Sequence, residues 1–296
     1  MKKSTLIPFF SKPTMEATML RLIPLAILGA CASLAQAAPV FFSASGSNVA
    51  VITPSRDAFR AAIGGGTVPG ANGLFGGLRR EINWDGVPDT FAATNNLPAN
   101  FFNVNSPRGV VFSTPGSGFQ VSANAVNPTA TPIQFGNINP SYPSSFEPFS
   151  AQKLFTALGS TITDVNFFVA GTATKAFTTA FGVIFSDVDL ANITSLQFFD
   201  PANVSLGTFF VPNFAGNETF SFLGVQFNAG ERVGRVRITS GNQVLAAGIT
   251  AEDLVVMDDF IFAEPRAVPE PATSLLMLVP LVVLIAGRTR RSQRLG

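Results

Sequence analysis

From residue 161 onward the apolar positions come in short runs at even spacing, separated by Gly, Asn, Asp and Pro. The runs read TDVNFFVAG, FTTAFGVIFSDV, ITSLQFFD, VSLGTFFV, ETFSFLGVQF, RVGRVRITSG and LVVMDDFIF. In Val233 to Thr239, Val236 and Ile238 share one face while Arg235, Arg237 and Thr239 share the other. That alternation predicts a half-buried strand. Asp200-Pro201-Ala202-Asn203 carries turn chemistry between two of the runs. Short strands repeated in this way predict an all-β chain, an antiparallel β-sandwich or jelly roll. Upstream, Val40-Phe41-Phe42 predicts an opening strand, Arg80 to Trp84 another, and Val110 to Ala123 a hairpin around a Pro-Gly turn. Ala58 to Gly64 predicts one short helix, N-capped by Ser55 and ended by glycines. The Asn/Pro/Ser stretch from Val126 to Phe149 has little periodicity and predicts a long loop.

Two apolar segments at the ends follow a different logic. From Met19 the chain places Arg21, an apolar stretch from Leu22 to Leu28, and small residues at Ala35 and Ala37. This is the layout of a secretory signal peptide, cleaved after Ala37 or Ala38. Met15 and Met19 offer alternative translation starts. Leu28-Gly29-Ala30-Cys31 resembles a lipoprotein signal, in which Cys31 would be acylated, and an uncleaved anchor is a third reading. At the other end, Ala272 to Gly287 carries no charge. As a helix it would be about 24 Å long, slightly short of a bilayer core of about 30 Å. Arg288, Arg290, Arg291 and Arg294 follow; their long side chains snorkel to the interface and favour the cytoplasmic side. The predicted order is a signal peptide (1–38), a β-sandwich body (39–264), a linker (265–271), a transmembrane helix (272–287) and an Arg-rich cytoplasmic tail (288–296).

The sequence Val268-Pro269-Glu270-Pro271-Ala272, followed by an apolar helix and an Arg-rich terminus, resembles the PEP-CTERM sorting signal of Gram-negative bacteria. Pro280 inside the apolar run and the polar tail from Ser292 to Gly296 are mild departures. The resemblance implies a substrate of a membrane-embedded exosortase that recognises Pro269-Glu270-Pro271. Its partners would be the export machinery, the exosortase and the inner membrane before sorting, and then exopolysaccharide of a biofilm matrix. Its location would be the cell surface or the extracellular space. The body runs FGVIFSDVD, ITSLQFFD, FLGVQF and VVMDDFIF are also similar to the bodies of PEP-CTERM exoproteins. The closing strand, with Asp258-Asp259 before an apolar pair, is similar to the last strand of jelly-roll carbohydrate-binding domains, where a carboxylate at this position often holds structural calcium.

Charge and composition narrow the chemistry. Between Pro39 and Glu264 ten basic residues face sixteen acidic ones, a net charge of −6. An acidic body without a basic stripe argues against nucleic acid as a partner. There is no histidine, and the single cysteine is Cys31. Ser-His-Asp catalysis, Cys nucleophiles and His or Cys metal sites are therefore excluded from the body. A hard cation held by oxygen ligands is compatible with it. Thirty phenylalanines stand against one Trp and one Tyr. Adjacent pairs such as Phe167-Phe168, Phe198-Phe199 and Phe209-Phe210 ask for cover on both faces of a strand.

Three groups are candidate sites. Asp187 and Asp189 fall on one side of a strand end, and with Asp258 they form a candidate calcium site; as simple turn residues they need no ion. Trp84 beside Asp85 either stacks a sugar or is the largest core residue. Paired carboxylates are also the requirement for glycoside hydrolysis, although no cleft lined by Trp or Tyr is visible in the sequence. The expected function is non-enzymatic: an exported envelope or matrix protein with a structural or binding role. A calcium-dependent carbohydrate-binding module is the first alternative and an Asp/Glu-based glycan hydrolase the second. No cofactor other than calcium is expected.

Overall fold

The computed structural model describes residues 38–248 and 253–269. The signal-peptide features before residue 38, the terminal helix 272–287, Glu270, Pro271 and the four terminal arginines lie outside the described residues. Among the described residues no helix is long and apolar enough to cross a membrane. The body is a β-sandwich. Its strands are β1 (Val40–Gly46), β2 (Leu74–Phe75), β3 (Arg79–Ile82), β4 (Val110–Ser113), β5 (Gly118–Val121), β6 (Phe155–Leu158), β7 (Ile162–Phe167), β8 (Ala176–Phe177), β9 (Ala180–Ser186), β10 (Ser195–Phe199), β11 (Ser205–Phe210), β12 (Phe220–Gln226), β13 (Arg235–Thr239), β14 (Val256–Ala263) and β15 (Arg266–Ala267). One sheet runs β1-β12-β9-β14-β3-β2, with β6 also paired to β14 and β5 to β6; the other runs β11-β10-β13-β7-β4. Strands β15 and β8 form a separate ribbon, and all of these strand pairings are antiparallel.

The two inner faces meet in one core. Phe181, Val183 and Phe185 of β9 and Phe260 and Phe262 of β14 pack toward Val165 and Phe167 of β7 and Val236 and Ile238 of β13. Strand β9 is buried along its whole length, so its sequence alternates in direction without alternating in polarity. Its other face lies under helix α1 (Val49–Ile63). Ile52 and Phe59 of α1 pack there with Ile184, Phe220, Phe222 and Ile261.

The helix is longer than the Ala58 to Gly64 prediction. Asn48, not Ser55, is its N-cap, accepting from Ala50 N at 3.1 Å. Pro54 sits inside it, in the second turn, where proline removes an intrahelical bond. Burial of Ile52 before the proline and Phe59 after it outweighs that local preference. Gly64, with φ 86°, ends the helix as expected.

Phe59 rests on a floor of glycines. Gly182 and Gly224 are paired across β9 and β12, and a Cβ on either would lie 2.8 Å from the Phe59 ring. Gly224→Ala should therefore destabilise the fold by about 1–3 kcal/mol through overpacking. Urea denaturation of Gly224→Ala checks this; a loss below about 0.5 kcal/mol would show that α1 lifts freely off the sheet.

The hairpin expected from Val110 to Ala123 is a corner instead. Both strands exist, but β4 pairs with β7 in one sheet and β5 with β6 in the other. The Pro-Gly turn thus carries the chain between layers, a move that local turn signals do not distinguish from a hairpin. Two of the strand phenylalanine pairs are covered on both faces, the outer ring by a cation, whereas Phe210 of the Phe209-Phe210 pair is 51% exposed. Phe167 and Phe198 are buried. Their neighbours lie under charged groups: Lys175 Nζ is 4.8 Å from the Phe168 ring and the Arg235 guanidinium 3.8 Å from the Phe199 ring. Phe101 and Phe102 are both buried because they lie on a short helical turn rather than a strand. The Val126–Phe149 loop forms a satellite core of its own, in which Phe135, Tyr142 and Phe146 pack with Leu154, Leu245 and Leu254.

Candidate functional site

The acidic residues separate into two groups. The first sits where β9 ends and β14 is about to begin. Antiparallel pairing of Ser186 with Val256 brings these termini to the same end of the sheet. Asp187 turns the chain out of β9 with φ 71°, and its N–H donates to Thr219 O at 3.0 Å. Asp189 Oδ1 accepts from Gly216 N at 2.7 Å. Asp253, just before β14, accepts at Oδ1 from Asp189 N at 2.7 Å and from Leu190 N at 3.4 Å. It therefore caps the turn that carries Asp187 and Asp189.

The remaining oxygens of this group are poorly served. Asp187 and Asp253 are 6% and 1% exposed. Asp187 Oδ1 and Asp253 Oδ2 are buried without a hydrogen-bond partner. Burial, then the charges of Asp189 and Asp253, push the Asp187 carboxyl up to about 8. Burial also raises Asp253, against the N–H groups of Asp189 and Leu190, and the Asp189 charge raises it further. No basic group is among the charges acting on either residue. Among the described residues no group of three or more His, Cys, Asp or Glu side chains is placed to hold a metal ion.

The expected third partner, Asp258, is elsewhere. Strand β14 has a register shift between Met257 and Phe260. A bulge alters the strict alternation of side chains, so Asp258 and Asp259, although adjacent in the chain, do not point to opposite faces. Both carboxylates meet the Ser150 hydroxyl at 3.0 Å. Asp258 Oδ2 also accepts from Phe149 N at 2.6 Å and Ser150 N at 3.1 Å. Burial, then the Asp259 charge, hold the Asp258 carboxyl well above its usual range. Asp259 is raised to about 6, by burial first and against the pull of Ser150 and Arg60. This pair fastens the loop at Ser150 to the central strand and leaves Asp258 no part in the Asp187 group.

Trp84 is not a sugar platform. It is 0% exposed, stacks on Phe155 with ring centroids 4.0 Å apart at 5°, and donates from Nε1 to Asp258 O at 2.7 Å. Asp85 accepts from Gln152 N and, at 3.0 Å, from Lys153 N; it anchors the approach to β6 rather than a ligand. A cleft of about 650 Å³ lies beside the end of α1, lined by Asp57, Arg60, Phe75, Arg79 and Glu81 among others. Sequence reasoning did not find it, because its charges are separated along the chain. They are largely paired with one another: Glu81 takes Arg60 at 2.6 Å and Arg79 at 2.7 Å. Arg79 also donates to the backbone oxygens of Arg60, Gly64 and Gly66, so it satisfies the C-terminus of α1. Comparison of the chain with family models, curated proteins and solved structures finds no match.

Proposed function

We propose that this chain is an exported, exosortase-sorted protein whose jelly-roll-like sandwich has a structural or binding role at the cell envelope or in an exopolysaccharide matrix. One observation carries the reading. Among the described residues the last backbone bond runs from Val268 N to Lys175 O at 3.1 Å, directly after β15 pairs with β8. The next residue, Pro269, is exposed and opens the Pro-Glu-Pro sequence. A membrane enzyme that reads an extended motif needs it clear of the folded body, and the exposure of Pro269, its first residue, supports that reading.

The carbohydrate-binding alternative is weakened because Trp84 and Tyr142, 0% and 1% exposed, offer no aromatic platform. The hydrolase alternative would need accessible carboxylates, whereas Asp258 and Asp259 are packed beneath Ser150. Intact mass of the protein recovered from the cell surface of an exosortase-bearing host tests the sorting proposal. A mass lacking Leu275 to Gly296 is expected. A mass that retains this segment would mean a simple tail anchor.

A further inference from the structure

Strand β1 is a long sheet edge that carries none of the usual protection. An edge presents unpaired N–H and C=O groups, and folded proteins blunt it with short strands, bulges, prolines or charges. Other edges of this fold use these devices. Strand β2 has two residues, and β4 and β5 have four each. Strand β11 pairs with β10 through a register shift between Phe198 and Phe199. Strand β1 runs seven residues in unbroken register with β12, from Val40 opposite Gln226 to Gly46 opposite Phe220. Its sequence, VFFSASG, holds no charge and no proline. Among the described residues β12 is its only strand partner. Phe42 and Ala44 pack toward helix α1 on one face. Two side-chain bonds also hold β1: the Ser55 hydroxyl donates to Ser43 O at 3.1 Å, and Ser45 Oγ donates to Asn213 O at 3.0 Å. Exposed apolar side chains lie on the same strand. Phe41 remains 48% exposed although its ring meets Phe209 of β11 at 4.9 Å, and Val40 beside it is exposed as well. Water satisfies the polar groups of an edge but not these two side chains.

We propose that β1 is a docking edge for a second copy of this chain. The two β1 strands would pair antiparallel about a two-fold axis and join two eight-stranded sheets into one, a strand addition in which backbone bonds supply the affinity. Charge decides the partner. The body carries a net charge of −6, so two copies repel over most of their surface, but residues 39–46 hold no charge and oppose none. A cationic partner finds no anion on this strand. An identical strand finds matching N–H and C=O groups and the same apolar side chains. A two-fold contact of this kind uses up the edge and stops at two copies. The inference deepens the structural role proposed above and rests on that reading in one respect: loss of residues 1–38 on export would leave no segment ahead of β1.

The test uses the protein recovered from the cell surface of an exosortase-bearing host, in mild detergent, with sedimentation equilibrium at micromolar concentration as the readout. Twice the chain mass is expected, with no further growth on concentration. Ser43 is exposed, so Ser43→Lys should match wild type by circular dichroism. It should sediment as a monomer, because it sets like charges close together across the new strand pair. Phe210→Ser, at an exposed site on β11, should remain a dimer. In a Cys31→Ser background the chain has no cysteine, so Ser43→Cys reports the pairing directly. With an added oxidant it should form a disulfide-linked dimer, whereas Val126→Cys, exposed in the long loop, should not. If Ser43→Lys does not fold, this cross-link decides. A wild-type monomer would overturn the proposal. So would a dimer that Ser43→Lys leaves intact or Phe210→Ser dissolves, or larger oligomers that grow with concentration. Intact mass of the same sample shows whether residues 1–38 and 275–296 were removed, so failure of the sorting reading is distinguishable from failure of the edge.

Discussion

Trp84→Ala is expected to destabilise the fold by about 3–5 kcal/mol, the range for removing a fully buried large aromatic. The ring is in contact on all sides. It stacks on Phe155 and meets Phe102 and Phe260 edge-on, with centroids 5.4 Å and 5.2 Å away. The substitution also removes the indole N–H from Asp258 O, and an orphaned buried carbonyl costs about 1–3 kcal/mol more. Domains of this kind are stable by roughly 5–15 kcal/mol in total, so the variant will be partly unfolded at body temperature. Trp84→Phe separates the two contributions. It keeps a stacked ring, loses the hydrogen bond and leaves a smaller void, and should lose less than the alanine variant. Urea unfolding followed by circular dichroism gives both values, because Trp84 is the only tryptophan and fluorescence is lost with it. An alanine variant within about 1 kcal/mol of wild type would mean that the stacked cluster does not hold the two sheets together.

The same residue shows how far the sequence could be read. Trp84 beside Asp85 favoured a core residue over a sugar platform, but the local pattern alone did not decide between them. The choice depends on Phe155 and Phe260, which lie far along the chain. Strand existence was legible, since β7 and β9 to β14 each follow a run of period-two or continuous apolar residues bounded by turn residues. Strand partners were not. The corner between β4 and β5 has the chemistry of a hairpin, and only the competing edges offered by β7 and β6 divert it. The helix was half legible: Pro54 masked its first turn, and the glycines that let Phe59 approach the sheet are in β9 and β12. Of the acidic group, Asp187 and Asp189 were found because they are two residues apart. Asp253 was missed because it is 64 positions from Asp189. One signal could have found it: it directly precedes the apolar run of β14, and antiparallel pairing with β9 puts the start of one strand beside the end of the other. Asp258 was misplaced because a bulge, invisible in the sequence, redirects it to Ser150.

Asp258→Asn is expected to flatten the dependence of stability on pH and to stabilise the fold increasingly as pH rises from 6 to 8. In the folded state the Asp258 carboxyl keeps its proton well above the usual range, through burial first and the neighbouring Asp259 charge second, against the pull of Ser150 and Phe149. In the unfolded chain it ionises near the ordinary value of about 3.9. Between those limits the folded state holds the extra proton. Stability from this group is therefore full on the acid side and declines as pH rises, by about 1.4 kcal/mol per pH unit for each proton. Asp259, raised to about 6, adds a decline of the same sign that is complete slightly above pH 6. Asp164 works the other way. Burial pushes its carboxyl up, but hydrogen bonds from Arg237 and Arg235 outweigh that and hold it below the ordinary value. Its contribution is lost only under acid conditions, outside the window. An asparagine reproduces the protonated carboxyl: its oxygen can accept from Phe149 N and Ser150 N, and its amide can donate toward Asp259. Asp258→Ala removes those bonds and should be destabilised at every pH. Urea unfolding in EDTA at half-unit steps from pH 5 to 8 measures the difference between wild type and Asp258→Asn. A gap that widens with pH is the expected result. Parallel curves would mean that Asp258 is already ionised in the folded protein, held by the two N–H groups that reach it rather than by a proton.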